Sequence, residues 1–544
     1  MSQRRNDSSV SRRRFLSGAV GAAGAAAMGP LPAMGAEPEG AAWDREVDAV
    51  VVGGGTGLVG AIAAARTGAE SVLVLEKRAG VGGNTAMSGG VAWVPNNHVM
   101  RAAGIADSRE RALVYLRKLR LDQADEALLE AFVDQGPAMA RFVEDNTPVT
   151  WRVSTIMGKA ADYHPEWEGA VPVGRSIEPT VEGAGMYGLH LIAGLRAGAR
   201  DAGAEVLLNT PATRLLTRDL AGGNREVIGV LAEQGGEALR IRARRGVLLA
   251  AGGFDWNFEM KRHFLRGMSP YPLGSPGNTG DGVRMAMGAG ADLRNMNEAW
   301  GITVYKEEAE AAQAKNSGPS LSAEIEKRAA GSIVVNRYGE RFCNEASDYD
   351  STSRSYFSWE NYGDLRQRNL PAFVIYDSRT RLDSAIAGKR SGQALPNWVA
   401  ERGSLDGIAQ HFGIDSKRLA ETVAAFNENA RVGRDPDFQR GQSAYDRYGL
   451  DDPSGVLGPV EKAPFFGAEI AVGDLGTCGG PRVDEHARVL DPFGAPIAGL
   501  YASGNNSGVG SPGASYGGGG GTIGPALTFA YIAGRAIGKR QVAG

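Results

Sequence analysis

The chain is poor in the residues on which several protein classes depend. Only two of its 544 residues are cysteine, Cys343 and Cys478, too few for a disulfide framework or a cysteine-ligated metal cluster. It has no Cys-x-x-Cys-His motif for attaching haem, and its six histidines show no ligand spacing, so no metal site is expected. Lys plus Arg number 59 against 62 for Asp plus Glu, a formal charge of −3, so no basic face for nucleic acid is expected. No stretch after the N-terminus reaches 18 consecutive apolar residues, and no transmembrane helix is expected. Internal repeats, a collagen period and low-complexity tracts are also missing.

What is abundant is glycine. Its 78 residues are about twice the usual share. Scattered at this density, they imply many places where backbone closely approaches a ligand or another backbone. The length allows two or three domains and a large core.

The N-terminus reads as an export signal. Arg4, Arg5, Arg12, Arg13 and Arg14 precede Phe15-Leu16 and an Ala/Gly run to about Ala36. Ser11-Arg12-Arg13-Arg14-Phe15-Leu16 matches the twin-arginine pattern with a mildly apolar core. That route carries folded proteins, which suits one that takes up a bulky cofactor before export. A periplasmic or other extracytoplasmic location follows. Cleavage near Ala36 removes five arginines and Asp7 and takes the formal charge from −3 to −7. Residues 1–36 are therefore set aside as a signal peptide.

Residues 48–52 have a buried-strand pattern. They run into Gly53-Gly54-Gly55-Thr56-Gly57, then a helix at 61–66, then a second strand at 71–75 ending in Glu76. Strand, glycine loop, helix, strand and acid form the context of a dinucleotide fingerprint, with the pyrophosphate at the helix N-terminus and the acid on the ribose. Counted from Gly53, the third glycine position falls on Leu58. Counted from Gly55, the set Gly55, Gly57 and Gly60 fits, but begins two residues beyond the strand. Gly53, Gly55, Thr56 and Gly57 are taken as contacts in a loop shortened by one residue, with Glu76 and Lys77 at the ribose end. A second glycine-rich segment, Gly80 to Gly90, follows soon after the acid. It is more typical of FAD than of NAD, because an isoalloxazine must also pack against backbone. Gly83, Asn84, Thr85, Ser88, Gly89 and Gly90 are its expected contacts. The segment holds no histidine, so FAD is expected to be bound non-covalently.

Residues 105–145 read as helical, 189–202 as a helix, 205–208 as a strand, and 246–254 as a buried strand ending in a double glycine. Ala251, Gly252 and Asp281 are further expected contacts. From 291 to 460 glycine thins and the strand–glycine–helix rhythm is lost. This stretch is read as an inserted α+β substrate domain that splits an α/β, Rossmann-like FAD-binding domain into 37–290 and 461–544. Gly504 and Asn505 lie in the second part.

Near the far end, Tyr516 is followed by five glycines, Gly517 to Gly521, and then by Thr522-Ile523 at the start of a helix. A glycine loop entering a helix offers free N–H groups and the positive dipole end. Read alone, it is either a site for an oxygen that gains negative charge or a flexible linker.

Together these motifs resemble the flavoprotein superfamily of fumarate reductases and succinate dehydrogenases. Within it, the chain is most similar to the 3-ketosteroid Δ1-dehydrogenases. The matching residues are the FAD loop with Glu76, Gly82 to Gly90, Trp93-Val94-Pro95-Asn96-Asn97, Asp162-Tyr163, Gly252-Gly253-Phe254-Asp255-Trp256, Asn336 to Glu345 with Tyr349, Gly473 to Asp484, and Tyr501 to Thr528. They cover almost everything after residue 45. The resemblance implies 1,2-dehydrogenation of a 3-ketosteroid. Tyr516 and the Gly520 N–H polarise the C3 carbonyl, Tyr349 takes the C2 proton, Tyr163 supports that base, and a hydride leaves C1 for the flavin. Thr522 and Ile523 face the flavin. An exported enzyme of this kind needs an external electron acceptor such as a quinone or a cytochrome. With only one dinucleotide fingerprint, NAD is not expected to serve.

The chain departs from the family at Ala160 and Ala161, where a larger apolar residue is usual, and in the unbroken run of five glycines. Three other readings stand beside this one. A fumarate-like reductase of unsaturated acids would need carboxylate-clamping arginines, and Ser503 to Gly508 holds none. The chain could instead oxidise another bond of a ketosteroid or cyclic ketone, or bind a flavin or steroid without catalysis.

Overall fold

Ala49 to Val52, Val72 to Leu75 and Val247 to Leu249 are continuous apolar runs. Runs of this kind suit strands covered on both faces, as in a parallel sheet. In the computed structural model they lie side by side. The structure describes residues 42–541 except 156–160, 182–186, 221–224, 266, 268, 320, 364 and 448–454. The export signal and Ala160 lie outside the described residues. An eight-stranded sheet runs in the order Arg488–Leu490, Pro496–Ala502, Arg225–Gln234, Glu237–Leu249, Arg45–Val52, Val72–Leu75, Glu205–Leu207. Ala212–Asp219 is added beside Arg225–Gln234.

Arg45–Val52 pairs in parallel with both Val72–Leu75 and Glu237–Leu249, and Pro496–Ala502 pairs in parallel with Glu237–Leu249. The register aligns Val52 with Leu75 and Leu249, and Leu249 with Ala502. Four strands therefore end at one edge, and each is followed at once by a loop named from the sequence: Gly53, Glu76, Ala250-Ala251-Gly252 and Ser503-Gly504-Asn505. The region outside such carboxyl ends is where open α/β sheets bind ligands. The helices Gly57–Arg66 and Ile523–Lys539 cover the sheet and approach each other closely, since a Cβ on Gly534 would overlap the Gly60 carbonyl.

A six-stranded sheet stands apart from the first. Its longest strand, Phe465–Thr477, pairs with Ala299–Tyr305, Ala372–Tyr376, Ala400–Arg402 and Tyr271–Pro272, and Ala372–Tyr376 pairs in turn with Ser332–Asn336. Alternation along the strands sorts the side chains by face. Ile333, Val335, Phe373 and Ile375 pack beneath the helices Leu405–Phe412 and Ser416–Ala430. Val334, Val374 and Tyr376 face a separate core with Tyr305 and Tyr356. This sheet draws strands from both sides of the 291–460 stretch, at Tyr271 and at Phe465. Helices Arg109–Leu119 and Glu126–Asn146 fill the region read as helical, and Gly188–Asp201 and Glu205–Leu207 lie where a helix and a strand were expected.

Candidate active site

Beyond the four strand ends lies a cleft of ≈ 1350 Å³, its open mouth included. Gly53, Gly55, Thr56, Glu76, Lys77, Gly83, Asn84, Thr85, Ser88, Ala251, Gly252, Asp281, Gly504, Asn505, Thr522 and Ile523 all line it. Gly57, Gly89 and Gly90 do not. Gly57 sits against Ala250 and Val51, and Gly90 against Gly188. Gly57 thus packs the fingerprint helix on its strands, and Gly90 packs the backbone after one short helix on the start of another.

The cleft fits FAD by the chemistry of its wall. Gly53 has φ +110°, and a side chain there would overlap the Ala250 carbonyl, so only bare backbone can form this turn. The Glu76 carboxylate is held by the N–H groups of Gly54 (3.0 Å) and Arg78 (2.9 Å), one bond per oxygen. Each oxygen keeps lone pairs for ribose hydroxyls. Lys77 donates to Asp281 (2.6 Å) and Thr279 (2.8 Å). Among the described residues the wall contains no histidine or cysteine. Its cations, Lys77 and Arg78, follow directly on Glu76, while Leu273, Trp300, Leu475 and Tyr516 are further wall residues that carry no cation.

Sequence reading missed part of this wall. Gly54, Gly274 and Asn278 lie in stretches whose glycine content was visible, but Trp300 and Leu475 come from strands of the second sheet and carry no local signal. Asn278 ties the wall together by donating to Asn84 Oδ1 (2.8 Å), which also accepts from the Ser275 N–H (2.6 Å).

The glycine run after Tyr516 is packed, not a linker. The Gly517 carbonyl accepts from the Tyr115 hydroxyl (2.8 Å) and the Tyr163 N–H (3.1 Å), Gly518 from the Gly521 N–H (2.9 Å), Gly519 from the Ser176 hydroxyl (2.7 Å), and Gly520 from the Trp93 N–H (3.0 Å). A Cβ on Gly518 would stand 2.6 Å from the Trp93 indole. Gly520 has φ +90°, and a side chain there would overlap the Val91 carbonyl. With the carbonyls so used, the Gly520 N–H has no acceptor among the described residues.

Tyr163, Tyr349 and Tyr516 come from three distant segments and meet in one buried cluster with Trp300, Ile302 and Tyr445. The Tyr163 and Tyr349 hydroxyls are hydrogen-bonded at 3.0 Å. The Tyr163 and Tyr516 rings stack with centroids 5.7 Å apart, and Tyr349 meets Tyr516 edge-on at 5.3 Å. The Tyr516 hydroxyl bonds the Thr522 hydroxyl at 3.1 Å, which brings it to the start of the final helix. Local structure explains each placement. Tyr349 opens the helix Tyr349–Ser355, whose start Asp348 caps by accepting from the Ser351 N–H. Tyr163 is set by its neighbour Asp162, which accepts from the Trp93 indole N–H (2.9 Å), the Val171 N–H (2.9 Å) and Arg175 (2.9 Å).

Burial dominates the electrostatics. It pushes Tyr163 and Tyr349 well above the usual phenol value and raises Tyr516. It also raises Asp162 to about 6 against the pull of Arg175. All three phenols are neutral at rest. The nearby Arg354 is occupied by Glu298 (3.0 Å), Asp350 (3.4 Å) and the Ala514 carbonyl (2.8 Å). Ala161 is buried and small. Among the described residues no group of His, Cys, Asp and Glu could hold a metal ion, and no helix is long and apolar enough to cross a membrane.

Residues 48–522 match the FAD binding domain family. The chain belongs to that flavoprotein family, and its cofactor is FAD. A 3-oxosteroid 1-dehydrogenase of Mycobacterium tuberculosis is 36% identical over 572 residues, covering 90% of this chain and 98% of that one. A 4-oxocyclohexanecarboxylate 2-dehydrogenase of Sinomonas cyclohexanicum is 35% identical over 538 residues, covering 90% and 92%. The crystal structure of a 3-ketosteroid Δ1-dehydrogenase from Sterolibacterium denitrificans, in complex with 1,4-androstadiene-3,17-dione, superposes with a TM-score of 0.82 at 30% identity over 91% of this chain and 99% of that one. These three dehydrogenases are matched over 92%, 98% and 99% of their own lengths, and this chain is itself an FAD-dependent dehydrogenase of this type.

Proposed function

We propose that the chain introduces a double bond between C1 and C2 of a 3-ketosteroid. The observation that carries this reading is the bonded Tyr163–Tyr349 hydroxyl pair packed against Tyr516, which opens the glycine loop whose Gly520 N–H has no acceptor among the described residues. A C–H next to a carbonyl is a very weak acid until the enolate oxygen is stabilised. Tyr516 and the Gly520 N–H act as the two donors to that oxygen, each contributing roughly 3–4 kcal/mol to the transition state. Tyr349 takes the C2 proton. Tyr163 donates to the Tyr349 oxygen as it becomes a phenolate, offsetting the burial that disfavours charge there. When bound, FAD supplies the acceptor for the hydride leaving C1. Gly53, Gly55, Thr56, Glu76 and Asn84 hold that cofactor, with Thr522 and Ile523 presenting the helix N-terminus to it.

The test is to mix holoprotein anaerobically with 4-androstene-3,17-dione and follow flavin absorbance. Bleaching supports the reading. Unbleached flavin, with reoxidation of the reduced protein by fumarate, overturns it. A second reading is favoured by the cyclohexanone relative: the same pair of donors and base acting on a small cyclic ketone. 4-Oxocyclohexanecarboxylate in the same assay separates the two. Arg354, already held by Glu298 and Asp350, is poorly placed to take that substrate's carboxylate.

The twin-arginine segment supports export, and with it an acceptor outside the cytoplasm, a quinone or a cytochrome. Fractionation of cells carrying Arg12→Lys with Arg13→Lys tests the first. Reoxidation of the reduced protein by a soluble quinone, compared with cytochrome c, tests the second.

A further inference from the structure

A fourth tyrosine completes the buried cluster. Tyr445 is 6% exposed and sets its ring against Tyr163 with centroids 4.8 Å apart at 61°, closer than either Tyr349 (5.4 Å) or Tyr516 (5.7 Å). Tyr163 is thus walled by three rings from three other segments: Tyr516 stacked on it, and Tyr349 and Tyr445 edge-on. Aromatic contacts of this kind fix ring orientation as well as bury area.

Tyr445 is also joined to the base it would serve. The segment before it is tied by buried ion pairs and hydrogen bonds to the segment that leads into Tyr349. Arg341 bonds both Glu345 (2.9 Å) and Asp435 (2.8 Å), Arg440 lies 3.1 Å from Glu345, and Asn344 donates to Asp446 (2.9 Å), whose same oxygen takes the Gly441 N–H (2.8 Å). Tyr445 and Tyr349 therefore belong to one rigid block. Tyr163 stands outside that block, anchored through Asp162 to Trp93 and Arg175.

The geometry points to Tyr445 as a positioning residue whose ring presses Tyr163 into hydrogen-bonding register with Tyr349. This inference rests on the roles assigned above to Tyr163 and Tyr349. Without the ring, a cavity opens beside Tyr163. The phenol relaxes into it, the 3.0 Å bond loosens, and the Tyr349 phenolate loses its donor. Other charged or titratable groups near the pair are Tyr516, Asp348 and Asp162, the last paired with Arg175, with Asp350 near Tyr516; the substitution leaves these in place. Losing a donor to the ionised form raises the pH at which the base ionises, since the phenolate is the form the bond stabilises.

The experiment compares Tyr445→Leu, Tyr445→Phe and Tyr163→Phe, and the Tyr163→Phe/Tyr445→Leu pair, as holoproteins reduced anaerobically by 4-androstene-3,17-dione between pH 6 and 10. Tyr445→Leu is expected to move the rising limb of the flavin-reduction rate up by about one pH unit, a roughly tenfold lower rate at each pH on that limb, with flavin content unchanged. Tyr445→Phe keeps the ring and is expected to keep the wild-type limb. In the Tyr163→Phe background, Tyr445→Leu is expected to shift nothing further, because the residue acts through the lost hydroxyl. An unmoved limb in Tyr445→Leu, an equal shift in Tyr445→Phe, or an additive shift in the pair overturns the proposal. So does a loss confined to thermal stability and flavin content. Tyr349→Phe serves as the control: full activity there overturns the catalytic roles themselves, whereas an inactive Tyr349→Phe with an unmoved Tyr445→Leu overturns Tyr445 alone.

Discussion

The hydroxyls of Tyr163 and Tyr349 stand 3.0 Å apart in a cluster where burial drives both phenols well above their ordinary ionisation range. A base that works as a phenolate but rests as a phenol makes the rate depend on pH in one direction. Below its pKa the ionised fraction falls tenfold per pH unit, so kcat is expected to climb from pH 6 into the alkaline range with a slope near one. A flat profile between pH 6 and 9 contradicts the assignment. Tyr349→Phe is expected to lose roughly 10²–10⁴-fold of the proton-transfer rate. This can be read without turnover, as loss of hydrogen–deuterium exchange at C2 of the ketone in D₂O.

Tyr516 tests the other half of the chemistry. Its ring packs in the tyrosine cluster, and its hydroxyl reaches Thr522 at the mouth of the final helix. Tyr516→Phe keeps the ring and removes one donor to the enolate oxygen. The expected loss is roughly 10²–10³-fold in kcat, with normal flavin content because Phe fills the same space. A variant within a few fold of wild type rules out the donor role.

Much of the cofactor half was legible in the sequence because its signals are local. A strand, its glycine turn and the following helix are consecutive, so Gly53, Thr56 and Glu76 could be named before the fold was known. Gly57 and Gly90 show the limit of that locality. A glycine required by helix packing looks in sequence like a glycine required by a ligand, and only the neighbours Ala250, Val51 and Gly188 distinguish them. The proposed catalytic half is non-local. Tyr163 and Tyr349 lie 186 residues apart, and no period or spacing links them; the family resemblance alone brought them together. Tyr445 and Trp300 carried neither kind of signal, since an aromatic residue in a loop or strand reads as core wherever it stands.

Gly53 offers a direct test of the cofactor cradle. Its φ of +110° is one that side chains rarely adopt, and a methyl group there would overlap the Ala250 carbonyl. Gly53→Ala must shift the turn between the first strand and the fingerprint helix, and with it the N–H of Gly54 that holds Glu76. The purified variant is expected to be largely free of flavin, with a far-ultraviolet circular dichroism spectrum like that of wild type. Full flavin occupancy, measured by visible absorbance against protein, argues that the turn does not carry the pyrophosphate.

Glu345 ties cluster geometry to stability. It is fully buried, accepts from Arg341 and from the Val334 N–H (3.1 Å), and lies 3.1 Å from Arg440. Burial opposes its charge, but Arg341 and Arg440 outweigh burial and pull the carboxyl down to about 2. A carboxyl with a depressed folded-state pKa stabilises the fold above its unfolded value near 4.5, and that contribution fades as pH falls toward 2. Glu345→Gln leaves two buried guanidinium groups short of a counter-charge and is expected to cost about 3–5 kcal/mol at neutral pH. The gap to wild type should narrow as pH drops from 5 to 3, because over that range the unfolded wild type takes up a proton at Glu345 while the folded form stays ionised. Denaturant melts of both proteins across that range check this, and a gap that stays constant or widens toward pH 3 would show that the ion pairs are not its source. Because the same pairs lock the segment leading into Tyr349 to the one carrying Tyr445, the variant is also expected to lose activity at pH values where it remains folded.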